Sequence, residues 1–316
     1  MCKRTVVLVV AFVLAVFWAS NAPAAEIAIV KSDYKKYNKV ISKVITGFSV
    51  ESKVPVVEYD MKKDPDRGKK IFEIIKSRRP SLVLAIGPAA AAMAKREITD
   101  IPVVFVMVPD HQKYSLSADN MTGVSLQLPY KVQLATLRTI APKIQNVGVL
   151  YNPKWSREVF EKASQAATEM GLTLVPSKVD DPEDVPSAVG TFLGKVDAVW
   201  MIPDQTVATP AAMKALIKFT YDSRVPFFTP VTSAVKKGAL ASLSPDYTAI
   251  GQQAGRLANQ IVLQKLAAKA IPVTEPEGIS IAINLSTARR LGVECNMALD
   301  IFTVAATQGY PIKVYK

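Results

Sequence analysis

PSLVLAIGP, residues Pro80 to Pro88, returns in outline as VDAVWMIPD, residues Val196 to Asp204. Each is an aliphatic run that stops at a proline and leads into a helical stretch. Each is then answered by a second apolar run, Ile101-Pro102-Val103-Val104-Phe105 in the first case and Val225-Pro226-Phe227-Phe228 in the second. The segments before them match too, as a strand, an acidic loop and a helix over Val54 to Ser77 and again over Leu172 to Leu193. An internal repeat on this scale predicts two similar open α/β units in tandem.

The rest of the chain fits that frame. Short β-branched runs alternate with longer amphipathic stretches, the pattern of a parallel sheet covered by helices. Strands are expected at Glu26–Val30, Val54–Tyr59, Ser81–Ile86, Pro102–Val108 and Thr122–Leu126. Six more follow at Asn146–Tyr151, Leu172–Pro176, Val196–Ile202, Val225–Thr229, Ala239–Leu243 and Gly278–Asn284. Helices over Asp66–Ser77, Trp155–Met170, Pro210–Ser223 and Ala249–Gln264 carry apolar residues three and four apart. Asp64-Pro65, Asp181-Pro182 and Thr209-Pro210 supply caps and first-turn prolines. The expected fold class is α/β, with two Rossmann-like lobes built on open parallel sheets. Residues 26–126 with 245–272 form the first lobe, and 127–244 with 273–316 the second.

The amino terminus reads as an export signal. Lys3 and Arg4 precede an apolar run from Thr5 to Ala19, followed by Asn21-Ala22-Pro23-Ala24-Ala25. The run is shorter than the roughly twenty residues of a spanning helix, and Ala22-x-Ala24 offers a cleavage site near Ala24 or Ala25. Residues 1–25 are therefore read as a signal peptide and the mature protein as periplasmic; an uncleaved anchor is the other reading. Cys2 lies ahead of the apolar run, so no lipoprotein cysteine follows it, and Cys295 alone remains afterwards. A disulfide framework is excluded. The formal net charge is +12, but the lysines are scattered singly or in pairs without interleaved aromatics, a solvated surface and not a nucleic-acid stripe.

Enzyme chemistry finds little support. No Gly-x-Gly-x-x-Gly turn follows the first strand, no P-loop is present, and the single histidine, His111, builds neither a triad nor a multi-histidine metal site. No cofactor is expected. Open α/β sheets instead bind ligands at the carboxyl ends of their strands, and two lobes with those ends facing share one cleft. That rule selects Tyr34 after the first strand and Gly87, Pro88 and Ala89 at an alanine-rich helix start. It also selects Asp110, Asn152, Trp155, Asp204, Gln205, Thr206, Thr229 and, at a chain crossing, Asp246. Backbone N–H groups near Ala89 suit a carboxylate; close helix packing explains Gly87 and the alanines equally well. Asp110 and Asp204 suit an ammonium or hydroxyl, or serve as helix caps. Trp155 and Tyr34 suit a planar or apolar portion, and surface packing also accounts for Trp155.

Six stretches together resemble a known family: AIGPAAAAMA (Ala85 to Ala94), IPVVFVMVPD (Ile101 to Asp110), TGVSLQLP (Thr122 to Pro129), NVGVLYNP (Asn146 to Pro153), VDAVWMIPDQTV (Val196 to Val207) and KKGALASLSPDYTAIGQQAG (Lys236 to Gly255). With SIAINLSTARRLGV (Ser280 to Val293), their order and spacing resemble the ABC-transporter substrate-binding proteins that include tryptophan- and other aromatic amino-acid-binding members. The resemblance implies a type I periplasmic-binding-protein fold and a hinge of three crossovers near Leu126–Pro129, Leu243–Asp246 and Pro272–Gly278. It also implies a monomer that captures a small polar solute, an amino acid or similar, and delivers it to a membrane permease and its ATPase. A clamshell that reports to a membrane sensor kinase shares every one of these features. Departures from the family pattern at Lys31 to Lys36, Gly87 to Ala89 and Pro226 to Val231 leave no assigned partner for a ligand α-ammonium. The tail beyond Val293 is expected to add packing or structure at a lobe edge.

Overall fold

The computed structural model describes residues 25–32, 38–109, 111–293, 301, 303, 305–307 and 309–315. The leader up to Ala24, Tyr34, Asp110 and Cys295 lie outside the described residues.

Strands β1 (Ile27–Lys31), β2 (Val56–Asp60), β3 (Leu82–Ile86), β4 (Val103–Val108) and β5 (Met121–Ser125) form one sheet in the order β2-β1-β3-β4-β5. All its pairings are parallel, with Ile27 beside Val56 on one side and Leu82 on the other. The pleat sends Ile27, Ile29, Leu82 and Leu84 to one face and Ala28, Val30, Val83 and Ala85 to the other. Both faces are buried, which is why these strands read as unbroken apolar runs and not as alternation. On the second face lie α2 (Pro65–Arg78) and α3 (Pro88–Glu97), contributing Phe72, Ile75, Ala90 and Ala94. Asp64 caps α2 as its sequence predicts, accepting from the N–H groups of Asp66 and Arg67 at 2.9 and 3.1 Å.

The second sheet takes β6 (Asn146–Tyr151), β7 (Thr173–Lys178), β8 (Ala198–Trp200), β9 (Phe227–Thr229), β10 (Ala241–Pro245), β11 (Ile279–Asn284) and β12 (Ile312–Tyr315), in the order β12-β11-β10-β9-β8-β6-β7. Helices α4 (Tyr130–Ile140), α5 (Pro153–Glu169) and α10 (Leu285–Arg290) cover one face. The opposite face is covered by α6 (Val185–Gly190), α7 (Pro210–Ser223) and α8 (Thr232–Val235). Trp200 and Phe228 point to the first of these cores, and Val199, Met201 and Phe227 to the second.

Two features depart from the expectation. The second sheet is not wholly parallel: β11 pairs antiparallel with β10, and β12 then runs parallel to β11. The reason is where β11 begins. It enters from the hinge, at the end of the sheet where its neighbours finish, and so must run against them. The tail supplies structure at the lobe edge as expected, in the form of a strand, β12; the second departure is that β8 and β9 are shorter than expected.

Between β10 and β11 the chain leaves this lobe. Helix α9 (Tyr247–Val262) packs beside α1 (Asn38–Glu51) on the first sheet, where Val44 and Phe48 meet Ile250, Ala254 and Ala258. The two helices touch through backbone. A Cβ at Gly251 would collide with the carbonyl oxygen of Val44, and one at Gly47 with that of Thr248. The first lobe is thus completed by a helix that follows the second lobe's strands in sequence. Three segments consequently pass between the lobes. Ser125 N–H donates to Thr274 O at 2.8 Å, Thr274 N–H to Gly123 O at 3.0 Å, and Asp246 N–H to Gly278 O at 2.8 Å. These few bonds tie the crossing segments together.

Candidate functional site

Around Asn152 the strand-end residues of the second lobe converge into one buried network. The Asp204 carboxylate is 5% exposed and spends both oxygens inside its own lobe. Oδ2 accepts from the Asn152 N–H at 2.7 Å and from Ser156 Oγ, and Oδ1 accepts from the N–H groups of Thr206 and Val207 at 2.7 and 3.1 Å. The Asn152 amide continues it, donating to Thr206 Oγ1 at 3.1 Å and to Asp180 O at 2.8 Å, while its Oδ1 caps α5 through the Lys154 N–H. Ser156 leaves helical geometry at φ −133°, ψ 19° to reach both Asp204 and Asn152 O. Such a carboxylate is fully satisfied, and it braces the loop that carries it. Gln205 beside it is exposed. Thr229 is buried, with its hydroxyl 3.4 Å from Met201 Sδ.

Backbone dominates the mouth of the first lobe. Gly87 sits at φ 94°, in the region that favours glycine, and lets the chain turn from β3 into α3. Pro88 has no N–H, the Ala90 N–H goes to Ser32 Oγ at 2.8 Å, and the Ala91 N–H to Gly87 O at 3.0 Å. Among the described residues this leaves the Ala89 N–H as the open donor of that turn. Ser32, 1% exposed, lies in the loop after the first strand but is not among the residues that the sequence selects as ligand contacts. It also donates to Ile86 O at 3.1 Å, locking β1 to β3 and α3.

Two contacts join the lobes away from the hinge. The Lys113 ammonium lies 5.7 Å from the centre of the Trp155 ring, which Lys154 approaches at 4.9 Å, and Trp155 is 46% exposed. Lys162 Nζ donates to Gln112 Oε1 at 3.3 Å. Beside these contacts opens a cavity of about 580 Å³, bounded by Gln112, Gln127, Tyr130, Lys162, Thr274 and Glu275 among others. A neighbouring one of about 730 Å³ shares His111, Gln112 and Val273 with it. Of the strand-end loops, the one after β4 reaches this space through Pro109, His111 and Gln112, whereas none of the described ligand candidates, from Gly87 to Asp246, lines either cavity. Asp246 stays at the crossing, where Oδ1 accepts from the Thr248 N–H at 2.8 Å and caps α9.

The charge on the cavity wall is largely neutralised by its own lobe. Lys162 pairs with Glu158 at 2.7 Å, and Lys131 pairs with Glu169. The hydrogen bond from Lys131 holds the Glu169 carboxyl below its ordinary range, with the lysine charge and Gln165 adding to it. Tyr130 lies edge-on to Trp200 at 6.3 Å. The Trp200 indole N–H is buried with no hydrogen-bond partner among the described residues. Among the described residues no three His, Cys, Asp or Glu side chains gather as a metal site, and no helix is long and apolar enough to cross a membrane.

Comparison with known proteins bears directly on this arrangement. The model of a family described as ABC transporter substrate binding protein matches residues 35–307. A tyrosine-binding protein of Clostridioides difficile (strain R20291) is 26% identical over 226 residues, covering 69% of this chain and 65% of that protein, so the chain spans just under two thirds of that relative's length. Among solved structures, the ligand-free, open form of a substrate binding protein with adhesive properties from Clostridium difficile superposes with a TM-score of 0.76. It has 20% identity and covers 92% of this chain and 100% of that one. An ABC domain in complex with L-Trp from Streptococcus pneumoniae gives a TM-score of 0.59 at 23% identity, covering 85% of this chain and 95% of that one. The shared fold is that of the type I periplasmic binding proteins.

Proposed function

Because the chain belongs to the family of ABC transporter substrate binding proteins, and is a binding protein and not an enzyme, we propose that it captures an aromatic amino acid or similar small polar solute between its lobes and delivers it to a membrane permease with its ATPase. In this reading residues 1–25 direct export to the periplasm and are removed. The mature monomer works as a clamshell, with the lobes divided at the three crossings near 126, 245 and 273.

The observation that carries the proposal is the pairing of two lobes across a cavity of about 580 Å³ next to the three crossing segments. That volume falls in the range of small-molecule sites. A solute touching both lobes favours the closed form by its differential affinity, and closure turns the lobes as rigid bodies about the crossings. The tyrosine-binding relative supports the aromatic class.

A thermal-shift series on the mature protein, stripped of carried-over solute by unfolding and refolding, tests the proposal. Tyrosine, tryptophan and phenylalanine are compared with sugars, nucleosides and short peptides. A ligand at a hundred times its dissociation constant adds roughly 2.7 kcal/mol to stability, so an aromatic amino acid should raise the melting temperature where a sugar does not. A shift with sugars or nucleosides alone would overturn the solute class. Uptake of labelled solute into cells lacking the gene separates delivery to a permease, where uptake falls, from reporting to a sensor kinase, where it does not.

A further inference from the structure

An amino-acid solute brings an ammonium into the cleft, and a desolvated ammonium needs acceptors and preferably a carboxylate. Asp204 is already saturated, and Asp246 Oδ1 caps α9 outside the cavity. The hinge offers a different acid. Glu275 lines the cavity with Lys131 and Lys162, and among the described residues those lysines make their ion pairs with Glu169 and Glu158 and not with Glu275. Arg256, on α9, is bound to Glu277, and Lys269 lies 3.9 Å from Asp119.

The backbone carrying Glu275 is held firmly. Gln253, 3% exposed, donates to Thr274 Oγ1 at 2.8 Å and to Glu275 O at 2.9 Å, and accepts from the Glu277 N–H at 3.2 Å. Glu275 is therefore presented from a pinned segment at the axis about which the lobes turn. Across the cavity, Gln127 commits its amide N–H to Leu128 O at 3.0 Å, which leaves Oε1 as an acceptor. With Lys131 and Lys162 paired to Glu169 and Glu158, the unpaired charged side chain among the described lining residues is Glu275. Leu128, Tyr130, Val159 and Val273 supply apolar surface alongside.

We infer that this hinge-side cavity receives the ammonium end of the solute, with the Glu275 carboxylate as its charge partner and Gln127 Oε1 as a further acceptor. The site therefore selects solutes that pair a primary ammonium with an apolar or aromatic body. The inference rests on the reading that the solute lies between the lobes. It supplies the recognition element that the strand-end loops lack, and it places that element where the lobes meet, so that binding and closure are linked.

Titration calorimetry tests it, with tyrosine, tryptophan and phenylalanine each compared with its deaminated acid on the wild-type protein and on Glu275→Gln and Glu275→Asp. Glu275 is exposed in this form, so the wild type should bind at least one amino acid up to about fivefold more tightly than the matching acid, the upper scale of a solvent-exposed ion pair. Glu275→Gln should remove that preference while leaving the affinity for the acid unchanged, and Glu275→Asp should restore part of it. The ligand-free melting temperature should stay the same in both variants. Equal binding of amino acid and acid, or equal weakening of both in Glu275→Gln, would sink the inference and leave the importer reading standing. Failure of every amino acid and every acid to bind the wild type would sink both.

Discussion

The mouths of the two lobes solve the same topological problem with different chemistry. In the second lobe the strand ends are knitted by side chains, with Asp204 accepting from Asn152, Ser156, Thr206 and Val207. In the first lobe they are shaped by backbone, with a glycine at positive φ, a proline, a run of alanines and one serine, Ser32. A side-chain network fixes one loop geometry and leaves little free for a solute. The backbone turn leaves, among the described residues, the Ala89 N–H without an acceptor. The second lobe is accordingly the rigid jaw, and the first lobe with the hinge carries the groups still able to bind.

The largest effect that would break this comparison is at Asp204. Asp204→Ala strands several buried donors at once and should destabilise the protein by about 3 kcal/mol, read as a lowered urea midpoint; Asp204→Asn should cost less because one oxygen still accepts. A loss below about 0.5 kcal/mol would show that the network is not what holds the jaw. Next comes Gly87→Ala, which forces a Cβ into a conformation at φ 94° and should cost about 2 kcal/mol. If the alanine variant melts like the wild type, the turn into α3 has another conformation available, and the backbone account of the first mouth fails. The smallest effect is at Trp155. As a half-exposed ring flanked by lysines, its replacement by alanine should change stability by less than about 0.5 kcal/mol. A larger loss would mean that the Lys113 contact holds the lobes together without solute.

How much of this was legible in the sequence follows from the range of the interactions. Strands such as β1, β3, β4 and β8 are legible because a strand buried on both faces must be apolar throughout, the half-exposed β2 and β7 show only through short β-branched runs, and Asp64-Pro65 and Thr209-Pro210 mark helix starts through contacts two and three residues away. Strand β12 was not visible. Ile312 to Tyr315 is a half-exposed edge with no periodicity, and it becomes a strand only by pairing with β11. The reversal of β11 was hidden likewise, since it depends on where the chain re-enters the lobe. At the site, sequence located the strand-end loops and a capping role for Asp204, but not its joining to Asn152 and Ser156, which lie 52 and 48 residues upstream. The carboxyl-end rule directs attention to loops and passes over the crossing segments, so Gln127, Gln253 and Glu275 drew no notice. Tyr34 and Asp110 fall outside the described residues.

The claim at the centre of this account is that a solute held between the lobes draws them together. Small-angle X-ray scattering of the mature protein, with and without the amino acid that gives the largest thermal shift, measures this directly. The account predicts a smaller radius of gyration at saturating solute and no change with its deaminated acid at the same concentration. Full occupancy by calorimetry with an unchanged scattering profile would contradict it, because the solute would then be bound without the lobes closing on it.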